Sequence, residues 1–228
     1  MKPLYMKIKD REYEDNQELD KESIEWLKKQ LDLKKEIGSL DITPMKEKTL
    51  LQYVPKESWF NSDRIKTIHG VSHALRVMMY SYILCKIYKI DRFEPFLVAA
   101  SIHDIKRIND RKDINHGKRA SEWFYKNNIR IKNDFSKEEI KEICLAVEGK
   151  DSKLKIDSIL KSADALDRYR LPRKKWWLKK ELIPFSIPNK IINFSKHFTI
   201  WTEEEILNGK DPLKAILDLA KKCNLIID

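Results

Sequence analysis

The stretch HGVSHALRVMMYSYILCKIYKI, residues 69–90, carries the strongest helical pattern in this chain of 228 residues. Its apolar side chains recur at helical spacing and predict one buried stripe, formed by Val71, Leu75, Met78, Met79, Tyr82, Ile83 and Ile87. The stretch PFLVAASIHDI, residues 95–105, is apolar on nearly every side and begins with a proline that suits a helix start. These stretches predict two buried helices at the centre of an all-α fold.

Weaker patterns place further helices on both sides of this pair. Apolar residues at helical spacing predict a helix over residues 19–37, which Gly38 ends. Ser136 and Glu139 match a capping box, which predicts a helix that runs through Val147. Other patterns predict helices over 118–127, 156–169, 190–208 and 212–223, an irregular lead over 1–17, and only short pieces over 38–60. With 5 Gly, 8 Pro and no convincing β pattern, the sequence favours long helices.

The chain is strongly basic, with a formal net charge of +10. This charge suits an anionic ligand such as a nucleotide or a nucleic acid, and a lysine-rich composition unrelated to function explains it equally well. The sequence contains no run of 18 apolar residues, so no membrane span is predicted. Residues 1–20 also lack an apolar stretch of signal length. The missing apolar run predicts that the membrane is not a partner. The three cysteines are widely spaced and are interpreted as reduced, which predicts a cytoplasmic protein.

Metal-ligand residues are distributed over several of the predicted helices. His73 comes first, the adjacent pair His103 and Asp104 follows, and Asp164 comes last. Imidazoles and carboxylates from separate helices suit a divalent metal ion with open coordination positions, and Mn, Fe, Co, Ni, Zn and Mg all remain open. Such an ion can bind a water molecule and polarise a phosphoryl oxygen, so the pattern indicates hydrolysis of a phosphate compound.

Two further histidines lie close to these residues in the sequence. His69 precedes His73 by four positions in the predicted helix, which places both on one helix face. There His69 suits proton donation to a leaving oxygen, although it is also explained as a solvent-exposed residue at a helix start. His116, followed by Gly117, opens the next predicted helix and is a second catalytic candidate.

The motif His73-x-x-Arg76-Val77, followed by His103-Asp104 and later by Asp164, resembles the HD-domain superfamily of metal-dependent phosphohydrolases. The resemblance covers about residues 60–172 and implies an HD-domain-like helical bundle that hydrolyses phosphomonoesters or phosphodiesters, often of nucleotides. It implies four metal ligands, His73, His103, Asp104 and Asp164, with His69 as the general acid. It also implies three segments within one structural domain: an N-terminal helical extension (1–60), the metal-dependent core (61–172) and a C-terminal helical extension that packs on the core (173–228).

The loop that follows the His-Asp pair resembles a subgroup of small bacterial HD proteins. Arg107 and Lys106 are candidate phosphate contacts, since a guanidinium binds phosphate through two hydrogen bonds, and a solvated loop is the alternative. Residues 146–151 contain no histidine where HD enzymes with two metals usually carry one, so one metal ion per chain is favoured. If two ions bind, His116 and Asp104 are the candidates for the bridging site.

The run RYRLPRKKWW, residues 168–177, combines basic and aromatic side chains directly after the last ligand. These side chains suit contacts to an anionic substrate or to nucleic acid, or the tryptophans pack on the core. The sequence therefore predicts a phosphohydrolase or phosphodiesterase acting on a nucleotide or related phosphate ester. The alternatives are an HD-type nuclease acting on single-stranded nucleic acid and a non-catalytic helical binding module with a structural metal.

Overall fold

The computed structural model of the chain describes residues 1–33, 37–127, 131 and 134–228. Its α-helices are α1 (Leu4–Lys9), α2 (Lys21–Leu31), α3 (Glu47–Leu51), α4 (Val71–Ile87), α5 (Glu94–Ile102), α6 (His116–Asn127), α7 (Lys137–Val147), α8 (Ile156–Asp167), α9 (Asn189–Leu207) and α10 (Pro212–Lys222). Two short strands, β1 (Met45–Lys46) and β2 (Ile226–Ile227), pair in parallel. The predicted all-α class is confirmed, and this short strand pair is a detail that the sequence patterns did not predict.

Helices α4 and α5 form the centre of the molecule, as their apolar sequences predict. Every residue from His73 to Cys85 in α4 and every residue from Pro95 to Ile102 in α5 is buried. Helix α4 packs mainly against α5 and α8, and α8 also packs against α7. These contacts bring the ends of three helices, and the residues they carry, to one side of the core.

The first turn of α4 lies later than the sequence pattern suggests. The helix begins at Val71 rather than at His69, because Gly70 N–H donates to the carbonyl of Thr67 and Val71 N–H to that of Ile65. A Cβ atom at Gly70 would lie 2.2 Å from the Ile65 carbonyl oxygen, so this turn depends on glycine. His69 therefore stands in the turn before the helix, and the expectation that it shares a helix face with His73 was wrong.

Other helix boundaries also differ from the predicted ones. Helix α2 ends at Leu31 rather than at residue 37, because Asp32 adopts a left-handed backbone conformation with φ of 51°; the predicted span also includes residues 34–36, which lie outside the described residues. Helix α5 ends at Ile102, and α8 ends at Asp167, where a 3₁₀ turn over Arg168–Arg170 continues the chain. The capping box of α7 forms as predicted, with Ser136 and Glu139 each bonding the other's backbone N–H.

The N-terminal lead contains the short helix α1, while residues 10–17 are irregular as predicted. Leu4 and Ile8 lie one turn apart on α1, and both are buried in a small cluster with Ile68. The amphipathic spacing of these two residues is too short a signal to distinguish from a loop in the sequence alone. Contact with Ile68 supplies the burial that stabilises a helix of six residues.

The main hydrophobic core draws side chains from almost the whole chain. It includes Leu27 from α2, Leu84 from α4, Phe198 from α9 and Ile226 from β2. The segments before residue 61 and after residue 172 therefore share one core with the segment between them, while the predicted boundaries themselves stay a prediction. Among the helices described here, none has the length and apolar character needed to cross a membrane.

We expect Gly117→Ala to destabilise the fold, because a Cβ atom at this position of α6 would lie 2.1 Å from the carbonyl oxygen of Val147 at the end of α7. The two helices would have to separate, at a cost of about 1–3 kcal/mol in the free energy of unfolding. Urea unfolding followed by circular dichroism measures this. Gly38→Ala is the matched control, since a Cβ atom there has open space; equal effects of both substitutions would contradict the prediction.

Candidate metal centre

Three of the predicted ligand residues converge at one point. His73 comes from α4, His103 follows the last residue of α5, and Asp164 comes from the last turn of α8. One ligand atom from each lies within 4.8 Å of the other two, so the group could hold a metal ion. Nε2 of His73 lies 3.1 Å from Nε2 of His103 and 3.4 Å from Oδ1 of Asp164.

The hydrogen bonds of the two imidazoles fix which nitrogens face each other. Nδ1 of His103 donates to the carbonyl of Ala100 at 2.7 Å, since a carbonyl oxygen only accepts. Nδ1 of His73 donates to Oδ2 of Asp167, also at 2.7 Å. In the neutral rings, both Nε2 atoms then carry lone pairs and face each other at 3.1 Å. Burial lowers the pKa of His103, which favours its neutral form. A cation between these lone pairs would remove their repulsion, so the donor set fits a divalent metal ion.

Asp104 connects this group to the neighbouring histidine. Its Oδ2 lies 3.5 Å from Nε2 of His73 and 3.7 Å from Nε2 of His103, while its Oδ1 lies 3.3 Å from Nε2 of His116. Burial alone would raise the pKa of Asp104, but the positive charge of Arg107 holds it well below its ordinary value. The carboxylate is therefore ionised and lies between the group of three and His116. Its role as a fourth ligand stays a prediction.

A buried carboxylate behind the site orients His73. Asp167 accepts hydrogen bonds from Nδ1 of His73, from Nε of Arg76 at 2.6 Å and from Oγ1 of Thr199 at 3.0 Å. Nη1 of Arg170 lies 3.2 Å from its Oδ2, and all five residues are buried. Burial alone would raise the pKa of Asp167, but Arg76 and Arg170 hold it below its ordinary value. An ionised carboxylate behind a ligand histidine fixes its tautomer and ring orientation.

The arginines around Asp167 have different partners. Arg76 pairs with Asp167, whereas Arg168 lies 3.4 Å from Oδ2 of Asp164. Arg170 belongs to the basic aromatic run of residues 168–177, and its guanidinium is buried beside Asp167. Its position three residues after Asp167 is the only local signal that could have indicated the pair.

His69 reaches the same site from the turn before α4. Its ring centroid lies 5.8 Å from that of His73, and its Nδ1 donates to Oδ1 of Asp110 at 2.9 Å. Burial lowers the pKa of His69 to about 4, although the hydrogen bond to Asp110 acts in the opposite direction. The ring is therefore neutral at pH 7, and with Nδ1 donating to Asp110 its lone pair lies on Nε2. No local spacing relates Asp110 to His69, so the sequence does not predict this hydrogen bond.

A cavity of about 440 Å³ opens above the three ligand residues. Six of the predicted site residues line it, namely His69, His103, Asp104, Arg107, His116 and Asp164. His73 lies beneath this surface and is fully buried. Six basic or aromatic side chains from the segment 168–179 also line the cavity: Arg168, Arg170, Lys175, Trp176, Trp177 and Lys179. The cavity thus combines possible metal ligands with a positively charged wall.

The predicted basic residues after the His-Asp pair lie in two different places. Arg107 lines the cavity, but it donates to Oδ1 of Asp104 at 3.1 Å and to the carbonyl of Asn109. Lys106 is not brought to the cavity: its ammonium donates to the carbonyl of Trp59 at 2.6 Å and lies over the ring of Trp123. The positive charge that faces the cavity therefore comes mainly from residues 168–179.

The tryptophans of the basic aromatic run have two kinds of contact. Trp177 packs near Trp26 and Tyr169, and its indole N–H donates to the carbonyl of Leu171 at 2.8 Å. Trp176 and Trp177 also line the cavity. Packing on the core and contact with the cavity were alternatives in the sequence analysis, and Trp177 does both.

Comparison with protein-family models, with curated proteins and with solved structures found no match to this chain. The interpretation of the site therefore depends on its own geometry and charges.

We expect Asp167→Asn to weaken metal binding by about 10- to 100-fold, because the amide no longer holds the His73 imidazole with a full charge. Titration calorimetry with Mn²⁺ and Zn²⁺ measures the affinity, and urea unfolding reports the stability. Asp157→Asn is the matched control, since Asp157 is also buried in α8 but accepts a hydrogen bond from Ser152 N–H away from the site. An unchanged affinity in a folded Asp167→Asn protein would contradict the orienting role.

Proposed function

We propose that this chain is a metal-dependent phosphohydrolase of the HD-domain type, which acts on a nucleotide or a related phosphate ester. The observation that carries the proposal is the convergence of Nε2 of His73 and Nε2 of His103, 3.1 Å apart, with Oδ1 of Asp164 3.4 Å from Nε2 of His73. Asp104 and Asp164 add two carboxylates beside this pair. One divalent ion per chain, held by these four residues, is the simplest occupant. Mn, Fe, Co, Ni, Zn and Mg all suit such donors.

The cavity supports hydrolysis of an anionic compound. When bound, a divalent ion supplies Lewis acidity, which lowers the pKa of a water molecule and polarises a phosphoryl oxygen. Arg168, Lys175 and Lys179 also line the cavity and attract a phosphate group through their positive charge. Arg107 donates to Asp104 and keeps this carboxylate in place. A volume of about 440 Å³ suits a ligand of nucleotide size.

Proton transfer is assigned to His69, with His116 as the second candidate. Asp110 accepts from Nδ1 of His69, so Nε2 is the atom that exchanges a proton with the substrate. The ring is neutral in the free protein, and an anionic substrate in contact with it raises its pKa and favours the protonated form. His116 donates through Nδ1 to the carbonyl of Asp113 and presents Nε2 to Asp104. This places His116 next to the ligand group rather than next to Asp110.

A nuclease acting on single-stranded nucleic acid is the second candidate. Trp176, Trp177 and several basic side chains line one wall of the cavity, and aromatic and basic side chains commonly bind single strands. Binding to an oligonucleotide that weakens steeply with salt would favour this alternative. A non-catalytic module with a structural metal is less well supported, because three of the four proposed ligands line an open cavity.

The buried thiols of Cys85 and Cys223 suit the reducing cytoplasm, where we place the protein.

We expect the purified protein to contain close to one divalent metal ion per chain and to release phosphate or nitrophenol in a metal-dependent manner. Elemental analysis gives the metal content, and turnover is measured on bis(p-nitrophenyl) phosphate and a nucleotide panel with Mn²⁺, Co²⁺, Ni²⁺ or Mg²⁺. Asp104→Ala should lose both metal and activity, because it removes a charged ligand. Asp151→Ala, at a fully exposed side chain, should keep both. Bound metal without turnover on any of these substrates, or on an oligonucleotide, would refute the enzymatic proposal.

For His69→Ala we expect retained metal and a turnover lowered by about 10²- to 10⁴-fold, the range typical of losing a general acid or base. Turnover on a nucleotide substrate is compared with that of His197→Ala, which changes a histidine outside the cavity. If His69→Ala keeps full turnover, the proton-transfer role passes to His116, and the same comparison is made there.

A further inference from the structure

Three arginines line the cavity above the candidate metal centre, and two of them are already engaged by the protein. All three nitrogens of the Arg107 guanidinium donate, one to Asp104 and two to backbone carbonyls of its own loop. The side chain of Arg170 is only 1% exposed, and its Nε and Nη1 donate to backbone carbonyls. These two guanidinium groups therefore stabilise the fold around the cavity and have few donors to offer a ligand.

Arg168 is the third arginine, and its guanidinium is much less constrained. Its side chain is 45% exposed and lines the cavity. Among the described residues, its guanidinium has one polar contact, in which Nη2 lies 3.4 Å from Oδ2 of Asp164. The N–H groups of Nε and Nη1 are therefore free to donate to a ligand. A planar guanidinium with free donors is suited to binding two oxygens of one phosphate in parallel.

Asp164 places this guanidinium beside the proposed metal ligands. Its Oδ1 lies 3.4 Å from Nε2 of His73, whereas its Oδ2 is the oxygen in contact with Arg168. The two oxygens of one carboxylate thus contact a ligand histidine on one side and the arginine on the other. The spacing of four residues from Asp164 to Arg168 brings the two side chains together at the end of α8. A phosphate with one oxygen at the candidate metal centre would have its other oxygens close to Arg168.

We propose that Arg168 donates two parallel hydrogen bonds to terminal oxygens of the substrate's phosphate and thereby selects phosphomonoesters over phosphodiesters. The proposal deepens the proposed function and rests on it for the position of the phosphate. A monoester has three terminal oxygens, so one oxygen at the metal centre leaves two for the guanidinium, whereas a diester leaves only one. Arg168 is thus a specificity-determining residue.

The test is titration calorimetry of the Mn²⁺-loaded full chain with inorganic phosphate and with dimethyl phosphate, which stands for a diester. Arg168→Lys keeps the positive charge and removes the planar guanidinium. We expect this variant to bind phosphate about tenfold more weakly and dimethyl phosphate no more than about threefold more weakly. Arg92→Lys is the matched control and should change neither affinity, because Arg92 is 51% exposed, pairs with Glu94 and lies outside the cavity.

Titration with Mn²⁺ alone separates this role from a structural one. Because Arg168 contacts a proposed metal ligand, a purely structural role would weaken Mn²⁺ binding and leave the phosphate affinity of the loaded protein unchanged. We expect the Mn²⁺ affinity of Arg168→Lys to stay within about fivefold of that of the original protein, which also shows that the variant is folded. Unchanged phosphate affinity in Arg168→Lys, or an equal loss for phosphate and dimethyl phosphate, would overturn the proposal.

Turnover distinguishes the proposal from the activity on which it rests. The kcat/KM values for p-nitrophenyl phosphate and bis(p-nitrophenyl) phosphate are compared, and their ratio should fall by about tenfold in Arg168→Lys. Hydrolysis of both compounds with an unchanged ratio would refute the role of Arg168 alone. Selective loss of phosphate binding in Arg168→Lys, without hydrolysis of any substrate by the original protein, would support the phosphate contact and refute the proposed activity.

Discussion

The charge on Asp167, buried at the junction of α4, α8 and α9, is the constraint on which the site depends. A carboxylate without solvent costs several kcal/mol unless it is paired and hydrogen-bonded. Here Arg76, Arg170, Thr199 and His73 all point to it. These partners come from α4, α9 and the 3₁₀ turn after α8, so the network fixes these elements relative to one another. The orientation of His73, and with it the geometry of the candidate metal centre, follows from the same interaction.

The burial of the side chains decreases from Asp167 to the cavity. Asp167 and His73 have fully buried side chains, whereas the side chain of Asp164 is 27% exposed on the cavity side. Ligand atoms at such a boundary are fixed from behind by protein and open to solvent in front. A closed structural site would instead surround the ion on all sides. The candidate metal centre lies at this boundary, beside the basic side chains of residues 168–179. This position supports the proposed hydrolytic role over a purely structural one.

The sequence predicted the features that depend on local or periodic signals. The long apolar patterns of α4 and α5 and the capping box of α7 are such signals, and the clustering of His73, His103 and Asp164 follows once the helices pack. Contacts between distant parts of the chain could not be predicted. Lys106 is adjacent to the His-Asp pair in sequence, yet the carbonyl of Trp59 holds its ammonium away from the cavity. The turn before α4 requires glycine at position 70, because a Cβ atom there would clash with the carbonyl oxygen of Ile65. Helix propensities do not describe such a contact.

Asp110 shows why the segment before α2 belongs to the site. Its Oδ1 accepts from Nδ1 of His69, and its Oδ2 accepts from the backbone N–H of Gln17 at 2.7 Å. The Arg64 guanidinium lies 3.3 Å from the same Oδ2 and offsets the buried charge. One carboxylate therefore positions both the imidazole of His69 and the backbone of Gln17. Because both hydrogen bonds end on the same buried group, the segment before α2 and the turn before α4 are fixed relative to each other.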